Sequence, residues 1–299
     1  MNIAQKRVLL SGSGGLLGSE IINQLKNNDS YNVIAITSQS KQLQAKYKEF
    51  ENLTVVDITE WFGRKDIEAD VLIHSGFPRS SNPTSLSAGL ISTEKIIKKS
   101  IDSGVSSVIN ISSQSVYSQS EKDNTTEQID VSPESNYGMT KFAVERIVNA
   151  FCKERVHFTN IRLASLVALN FDIRLTNKFV KDAFLGKALN LTGGDQKISY
   201  LDVRDAASGI INMLEFNSSK WKEVYNLGND DYLTLVQIAE HIRKLLKESH
   251  NIDVVINIKE NSGPNTNNLI DSNLFYKDFN WKPDFTMKHF IKDLIHNYN

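Results

Sequence analysis

The stretch that decides the fold of this 299-residue chain is Arg7-Val8-Leu9-Leu10-Ser11-Gly12-Ser13-Gly14-Gly15-Leu16-Leu17-Gly18. The apolar run before the glycines predicts a buried strand. The residues after them predict an amphipathic helix, because Ile21, Ile22 and Leu25 share one helical face. A strand, a glycine-rich loop and a helix in this order bring helix N-terminal amides close to a pyrophosphate. We therefore predict that a dinucleotide binds along the loop, at Gly12, Ser13, Gly14, Gly15, Leu16, Leu17 and Gly18.

Further apolar runs predict the rest of a sheet, and segments with helical spacing lie between them. The runs are Val33–Ile36, Leu53–Ile58, Asp70–Gly76, Val108–Ile111 and Val156–Leu163. Strands that alternate with helices predict an α/β fold with a doubly wound parallel sheet, that is, a Rossmann fold. Beyond residue 163 the alternation becomes irregular, which predicts a smaller C-terminal part that faces the substrate.

The end of the second strand indicates which dinucleotide binds. Sites that prefer NAD usually carry an acidic residue here, which holds the ribose 2′-hydroxyl. The segment from Thr37 to Lys41 has no acid, and Thr37, Ser38 and Lys41 suit a 2′-phosphate better. NADP(H) is therefore favoured, while NAD(H) stays open. The alternative for Lys41 is a solvated position at the start of the next helix.

The ends of the third and fourth strands add expected cofactor contacts. Asp57 and Ile58 are predicted to form a wall for the adenine, and the small residues Ser75 and Gly76 to let the cofactor pass close by. His74 is interpreted as a core or strand-end histidine rather than a catalytic one. The six histidines show no clustered ligand spacing, so no metal site is predicted.

Three residues are candidates for the chemistry. Ser113 follows the fifth strand, and ligands bind at the carboxyl ends of parallel strands. Tyr137 and Lys141 are four residues apart in a predicted helix with a start signal at Ser132-Pro133-Glu134, so they share one face. An ammonium favours a nearby phenolate, and such a phenol can exchange a proton with a carbonyl/alcohol pair while hydride moves. Ser113 can donate a hydrogen bond to the same oxygen. Alone, this Tyr–Lys spacing also fits an ordinary helix surface.

The composition sets limits on partners and location. With 40% hydrophobic residues, 23% charged residues and a net charge of −1, the sequence indicates a globular protein without a bulk attraction to nucleic acid or membranes. No apolar stretch approaches the roughly 20 residues of a membrane span. The single cysteine, Cys152, is interpreted as buried packing, and it allows no internal disulfide. The expected location is the cytoplasm.

Taken together, the motifs resemble the extended short-chain dehydrogenase/reductase family, also called the NAD-dependent epimerase/dehydratase family of nucleotide-sugar enzymes. The resemblance covers nearly the whole chain. Its motifs are the glycine loop, Asp57-Ile58, Asp70–Gly76, Ile111–Tyr117, Tyr137–Lys141, Arg162-Leu163, Leu201–Asp205, Tyr225–Gly228 and Trp281-Lys282-Pro283.

The resemblance implies a role for each candidate. Tyr137 would be the acid/base, Lys141 would tune it and bond the nicotinamide ribose, and Ser113 would orient the substrate oxygen. It also implies a dinucleotide-binding domain formed by residues 1–168 and about 198–228. The substrate-binding domain would then comprise about 169–197 and 229–299.

The chain departs from the family pattern at several positions. Dehydratases of the family typically carry an Asp-Glu pair after the residue that matches Ser113, whereas this chain has Gln114-Ser115, so a 4,6-dehydratase is disfavoured. Gly89 replaces a frequent asparagine near the active site. Ile198 and Ser165 replace an arginine and an asparagine that contact the sugar nucleotide. Lys197 and Arg174 are near enough in sequence to substitute.

The leading hypothesis is an NADP(H)-dependent reductase that acts on a keto group of a nucleotide-linked deoxysugar. The same residues also fit an epimerase that retains NAD and returns the hydride to the other face. A reductase of a non-sugar carbonyl and a non-catalytic, cofactor-binding regulatory protein stay open. A homodimer is a further expectation, formed by apolar residues that could equally be core, namely Leu90, Ile96, Ile97, Ile147 and Val148.

Overall fold

The computed structural model describes residues 5–118, 125–261 and 267–298. The strands are β1 (Lys6–Ser11), β2 (Tyr31–Thr37), β3 (Leu53–Asp57), β4 (Val71–His74), β5 (Ser107–Ser113), β6 (His157–Leu163), β7 (Leu166–Val167), β8 (Leu189–Thr192), β9 (Lys197–Ile198), β10 (Leu201–Asp202), β11 (Val224–Leu227), β12 (Leu233–Thr234) and β13 (Ile256–Lys259). The helices are α1 (Leu16–Leu25), α2 (Ser40–Lys46), α3 (Ile58–Gly63), α4 (Pro83–Asp102), α5 (Asn136–Cys152), α6 (Leu175–Phe184), α7 (Val203–Met213), α8 (Leu235–His250), α9 (Asn273–Phe279) and α10 (Met287–His296).

The main sheet has seven parallel strands in the order β11-β6-β5-β4-β1-β2-β3. Strand β1 pairs with both β2 and β4, so the chain reverses its winding direction at β1. In an open parallel sheet, ligands bind at the carboxyl ends of the strands beside such a reversal. The predicted Rossmann fold is confirmed, and the glycine loop follows β1 at this position.

Local capping sets the starts of the helices that border the site. Helix α4 begins at Pro83, and the Asn82 side chain accepts a hydrogen bond from the Ser85 amide. Helix α5 begins at Asn136, where the Ser135 side chain accepts from the Gly138 amide. Such caps satisfy amides that have no partner within the helix. Helix α5 thus begins slightly later than the start signal predicted at Ser132-Pro133-Glu134, because Ser135 rather than Ser132 is its N-cap.

The chain is divided into two compact units. The first comprises Met1–Tyr117, Asp130–Arg162 and Ala207–Tyr225. The second comprises Ser118–Ile129, Leu163–Ala206 and Asn226–Asn299. The domain limits predicted from the sequence remain a prediction. In the expected substrate-binding domain, residues 262–266 and 299 lie outside the described residues.

The first unit contains all the predicted cofactor and catalytic residues. Its apolar core includes residues of the central strands and of the helix face that carries Val144 and Val148. Ile96 and Ile97 also belong to this core, whereas Leu90 and Ile147 are partly buried. Three of the five residues considered for a dimer interface therefore serve the core. Cys152 is buried as predicted, and burial raises the pKa of its thiol to about 12.

A buried ion pair connects β6 to α5 within the first unit. The Arg162 guanidinium donates to both carboxylate oxygens of Glu145, at 3.0 and 2.8 Å. It also donates to the Tyr117 hydroxyl at 2.9 Å, while the Ser112 hydroxyl donates to Glu145 at 2.5 Å. The Arg162 and Glu145 side chains are 5% and 3% exposed. A buried pair is tolerated when hydrogen bonds satisfy the remaining polar atoms, and these contacts meet that condition.

Within its described residues, the second unit has its own core and three two-stranded sheets, β10-β7, β12-β9 and β13-β8. The core lies among α6, α8 and α10, with Phe179, Ile242 and Phe290 buried within it. Asp205, from the Leu201–Asp205 motif, accepts hydrogen bonds from the Asp284 and Phe285 amides, both at 3.0 Å. Asp205 therefore anchors the segment that precedes α10.

Among residues 5–118, 125–261 and 267–298, none of the helices combines the length and the apolar character of a membrane span. Within the same residues, no group of three or more His, Cys, Asp or Glu side chains is arranged to hold a metal ion.

We predict that Glu145→Leu lowers the free energy of unfolding by about 3–5 kcal/mol, because the Arg162 guanidinium would stay buried without its carboxylate. Urea denaturation of the purified protein measures this change. The double variant Glu145→Leu/Arg162→Met should recover part of the loss, because it removes both charges.

The matched control is Asp102→Ala, which breaks an exposed ion pair between Asp102 and Arg155 at 3.0 Å. An exposed pair contributes about 1 kcal/mol or less. Equal losses in Glu145→Leu and Asp102→Ala would contradict the stabilising role of the buried network.

Candidate active site

The glycine loop is packed too tightly for side chains at two of its positions. Gly12 has a φ of 73°, and a Cβ atom there would lie 2.5 Å from the Gly76 Cα. At Gly18 a Cβ would collide with the Gly12 carbonyl oxygen. The loop therefore needs glycine at both positions, and the ends of β1 and β4 approach each other closely.

The start of α1 presents backbone amides without a capping side chain. Gly15 is the N-cap residue, in an extended conformation, and its amide donates to the Gly12 carbonyl at 2.9 Å. The Ser13 hydroxyl donates to the Ile36 carbonyl at 3.1 Å, which fixes the loop to β2. Leu16 is partly buried and Leu17 is buried. A helix N-terminus of this kind suits the negative charge of a pyrophosphate, so the loop fits the predicted dinucleotide.

The end of β2 lies beside this loop. Thr37 is its last residue, and its Oγ1 accepts a hydrogen bond from the Gln39 amide at 3.1 Å. A Cβ at Gly14 would lie 3.0 Å from the Gln39 Oε1 and 3.1 Å from the Thr37 Oγ1. Gln39 therefore borders the loop, although it was not among the predicted cofactor contacts. Ser38 and Lys41 are exposed, and Lys41 lies in the first turn of α2, as its alternative interpretation expected.

Asp57 acts as a helix cap at the end of β3. Its Oδ1 accepts from the Thr59 hydroxyl at 2.6 Å and from the Thr59 amide at 2.9 Å. These hydrogen bonds lower the pKa of the Asp57 carboxyl. Strand β3 therefore ends at Asp57, and Ile58, which was expected in the strand, begins α3 and packs against the core.

The end of β4 contains a buried, neutral histidine. His74 Nδ1 lies 2.6 Å from the Ser11 hydroxyl, and its Nε2 lies 3.0 Å from the Thr93 hydroxyl. Burial, followed by the charge of Lys141, lowers the pKa of His74 to about 3. His74 therefore connects β1, β4 and α4, in agreement with its interpretation as a core residue. The neighbouring Ser75 hydroxyl donates to the Ser11 carbonyl at 2.8 Å.

Ser113 ends β5 and starts a short 3-10 turn, Gln114–Val116. Its Oγ accepts a hydrogen bond from the Ser115 amide at 3.1 Å, and its side chain is partly exposed. Helix α5 packs against this turn, since a Cβ at Gly138 would collide with the Ser115 carbonyl. The close packing at Gly138 brings the N-terminal turn of α5, which carries Tyr137, to the end of β5.

Lys141 is buried on the same helix. Its Nζ donates a hydrogen bond to the Ile111 carbonyl of β5. Burial lowers the pKa of the ammonium to about 8, and the Glu145 carboxylate opposes this change. Near neutral pH the ammonium form therefore still dominates.

Phe77 contacts both helix residues of the candidate set. The Lys141 Nζ lies 4.9 Å from the centre of the Phe77 ring. The rings of Phe77 and Tyr137 meet edge to face, with their centroids 6.5 Å apart. These contacts of Phe77 could not be predicted from local sequence patterns, because Tyr137 and Lys141 lie about 60 residues further along the chain.

In the second unit, Arg174 and Lys197, which could substitute for the family's sugar-nucleotide contacts, both contact other residues of the protein. The Arg174 Nε donates to the Leu166 carbonyl at 2.6 Å. The Lys197 Nζ lies 5.3 Å from the centre of the Tyr232 ring. The Asn268 side-chain amide donates to the Ser165 hydroxyl at 3.3 Å. An asparagine from elsewhere in the chain therefore lies beside Ser165, which itself replaces an asparagine of the family pattern.

Comparisons with known proteins agree on the family. A model of the NAD dependent epimerase/dehydratase family matches residues 8–228. UDP-glucuronic acid decarboxylase 3 of Arabidopsis thaliana is 26% identical over 281 residues, which cover 84% of this chain and 78% of the relative.

Two solved structures share the fold along nearly the whole chain. One is UDP-N-acetylglucosamine 4-epimerase from Bacillus cereus, with a TM-score of 0.80, 22% identity and coverage of 98% of this chain and 99% of that one. The other is UDP-glucuronic acid 4-epimerase from Bacillus cereus in complex with UDP-glucuronic acid and NAD, with a TM-score of 0.78, 18% identity and coverage of 97% and 99%. Since the family model spans most of the chain, and the fold and motifs agree with it, this chain belongs to the NAD-dependent epimerase/dehydratase family and is an enzyme of the extended short-chain dehydrogenase type.

Proposed function

We propose that the chain transfers hydride between a nicotinamide cofactor and an oxygen-bearing carbon of a nucleotide-linked sugar, with Tyr137 as acid/base. The observation that carries this proposal is the buried Lys141 ammonium, which shares a helix face with Tyr137 beside the carboxyl end of β5. Relatives that act on UDP-linked sugars support the choice of substrate class.

The residues at the switch point fit a dinucleotide. The glycine loop and the start of α1 would hold the pyrophosphate, and Thr37, Ser38, Lys41, Asp57, Ile58, Ser75 and Gly76 would border the adenosine half and the linking phosphates. Lys141 and Tyr137 would bond the nicotinamide ribose. When bound, the nicotinamide supplies or accepts the hydride.

The protein's own part in the reaction is proton transfer and charge stabilisation. The Tyr137 hydroxyl would give its proton to the carbonyl oxygen in reduction and take it from the alcohol in oxidation. The Lys141 ammonium favours the phenolate that forms. The Ser113 hydroxyl would donate a hydrogen bond to the same substrate oxygen, where charge develops.

More specifically, we propose that the chain is a net reductase, which uses NADPH and acts on a keto group of a nucleotide-linked deoxysugar. Its support is the polar, acid-free segment from Thr37 to Lys41, where Gln39 and Thr37 border the glycine loop. The Asp57 carboxylate at the end of β3 accepts hydrogen bonds from the Thr59 hydroxyl at 2.6 Å and from the Ser40 hydroxyl at 3.3 Å, and these bonds favour its charged form. In this segment a 2′-phosphate would meet the Thr37 and Ser38 hydroxyls, the Gln39 amide group and the Lys41 ammonium, and their attraction would have to exceed the repulsion from Asp57.

A second candidate is an epimerase that keeps NAD bound. It is favoured by the 4-epimerases among the similar structures, one of which is in complex with NAD. Both candidates use Ser113, Tyr137 and Lys141 in the same roles. The difference lies in whether the cofactor leaves after one hydride transfer.

Three further expectations stay proposals. We propose that the part formed by about 169–197 and 229–299 binds the substrate. A homodimer is supported by Ile91 and Met139, which are 53% and 50% exposed on the packed helices α4 and α5. A cytoplasmic location is supported by the single, buried cysteine.

We predict that Tyr137→Phe lowers turnover by about 10²–10⁴-fold, because the phenol is the group that moves the proton. Its affinity for NADH and NADPH should stay within a few-fold, since the ring and Lys141 remain. A panel of UDP- and dTDP-linked sugars and their keto derivatives, followed by nicotinamide absorbance and by product chromatography, measures turnover.

The control is Tyr298→Phe, which keeps the ring that stacks on Phe184 in the second unit and should leave turnover unchanged. Wild-type turnover in Tyr137→Phe would end the proposed mechanism.

We predict that Thr37→Asp shifts the ratio of the two dissociation constants towards NADH by about tenfold or more, roughly 1.4 kcal/mol. The new carboxylate would repel a 2′-phosphate, and it can still accept the hydrogen bond from the Gln39 amide. Fluorescence titration with NADPH and NADH measures the ratio, after denaturation of one aliquot to identify any nucleotide retained through purification.

Thr54→Asp adds the same charge at an exposed position on β3 and serves as the control. An NADPH preference without retained NAD supports the reductase. Tightly retained NAD selects the epimerase instead, and an unchanged ratio in Thr37→Asp would contradict the placement of the 2′-phosphate.

A further inference from the structure

We propose that Phe77 is a positioning residue of the hydride-transfer site, whose ring face holds the Lys141 ammonium and whose edge-to-face contact orients Tyr137. The glycine at position 89 leaves the space that this ring needs. Only the reaction that Phe77 would serve rests on the proposed function. The contacts of Phe77 with Lys141 and Tyr137 are seen in the structure itself.

Phe77 follows Gly76 in the segment between β4 and α4, and it is partly buried. Its ring centre lies 4.9 Å from the Lys141 Nζ, within the usual range of a cation–π contact. Its centroid lies 6.5 Å from that of the Tyr137 ring, with 61° between the ring planes. This arrangement is a preferred geometry for an aromatic pair. One side chain thus contacts both members of the acid/base pair.

The Lys141 ammonium needs such a contact because it has been removed from water. Burial lowers its pKa to about 8. The groups around it are the Ile111 carbonyl of β5, which accepts its hydrogen bond, and the Glu145 carboxylate, which is shared with Arg162 and Ser112. His74 of β4 lies near it and is neutral. The negative face of the Phe77 ring therefore adds to the stabilisation of the charged form.

Gly89 explains why the ring can occupy this position. A Cβ atom at position 89 would lie 2.8 Å from the Phe77 Cε2 and 2.6 Å from the Pro78 Cδ. Any side chain on this face of α4 would therefore displace the ring. The asparagine that the family resemblance leads one to expect at this position is incompatible with Phe77 as placed, so the two residues form a matched pair.

An apolar packing role and a positioning role predict different results. If Phe77 merely fills space, a leucine of similar volume or a fluorinated phenylalanine should leave the titration of Tyr137 unchanged. If its ring face stabilises the ammonium, either replacement lowers the charged fraction of Lys141 and thereby disfavours the Tyr137 phenolate.

The experiment is a spectrophotometric pH titration of tyrosinate in the purified full chain, with no cofactor or substrate added. The Tyr137 signal is the difference between each protein and the same protein carrying Tyr137→Phe, which removes the background of the other tyrosines. In Phe77→Leu the apparent pKa of Tyr137 should rise, by less than the roughly one unit that loss of a desolvated cation–π contact takes from the pKa of the Lys141 ammonium, because Tyr137 senses the change only through the charge of Lys141.

A pentafluorinated phenylalanine introduced at position 77 keeps the shape and reverses the charge pattern of the ring, so it should give a shift in the same direction. This second variant keeps the test decisive if Phe77→Leu fails to fold. The control is Phe62→Leu, an exposed phenylalanine on α3, which should not change the Tyr137 titration.

An unchanged Tyr137 pKa in both Phe77 variants would overturn the inference, even if Tyr137→Phe abolishes turnover. A raised pKa in both variants supports it, even in a preparation that turns over none of the sugar nucleotides. The titration needs no reaction, so a failure of the proposed function and a failure of the Phe77 assignment give different results.

Discussion

A buried ammonium is the constraint on which the candidate site depends. Lys141 has lost contact with bulk water, and an unpaired buried charge costs much free energy. The protein offsets this cost with the Ile111 carbonyl, the Phe77 ring face and the field of Glu145. Each of these groups comes from an element whose place is fixed by the sheet, so the position of the cation, and of Tyr137 one turn earlier, follows from the packing of α5 on β5.

The Glu145–Arg162 pair extends the same constraint deeper into the first unit. Glu145 lies one turn beyond Lys141, and its two oxygens are held by Arg162, while Ser112 bonds one of them. The carboxylate is therefore fixed at a distance at which it favours the ammonium without forming a direct pair with it. A direct pair would neutralise the charge that a phenolate needs. This arrangement connects the stability of the fold to the chemistry of the site.

The cofactor side depends on close backbone approach rather than on charge. Gly12 and Gly76 bring the ends of β1 and β4 together, and the bare start of α1 faces the same edge of the sheet. Much of this was predictable. The succession of strands along the chain, the loop, Ser113 and the shared face of Tyr137 and Lys141 follow from apolar periodicity and local spacing. The end of β3 was placed one residue too far, because a cap such as Asp57 depends on which neighbour its side chain reaches.

The sequence by itself determined the α/β fold, the family and the residue types available for acid/base chemistry, because periodicity and motif spacing are local properties of the chain. Only the tertiary structure decided that Phe77 contacts Lys141 and Tyr137, that Gly89 leaves room for its ring, and that Gln39 borders the glycine loop. It also decided that Ile96, Ile97 and Val148 are core rather than interface. These facts depend on the packing of segments far apart in the chain, and the distances between such segments are set by the sheet and not by their separation in sequence.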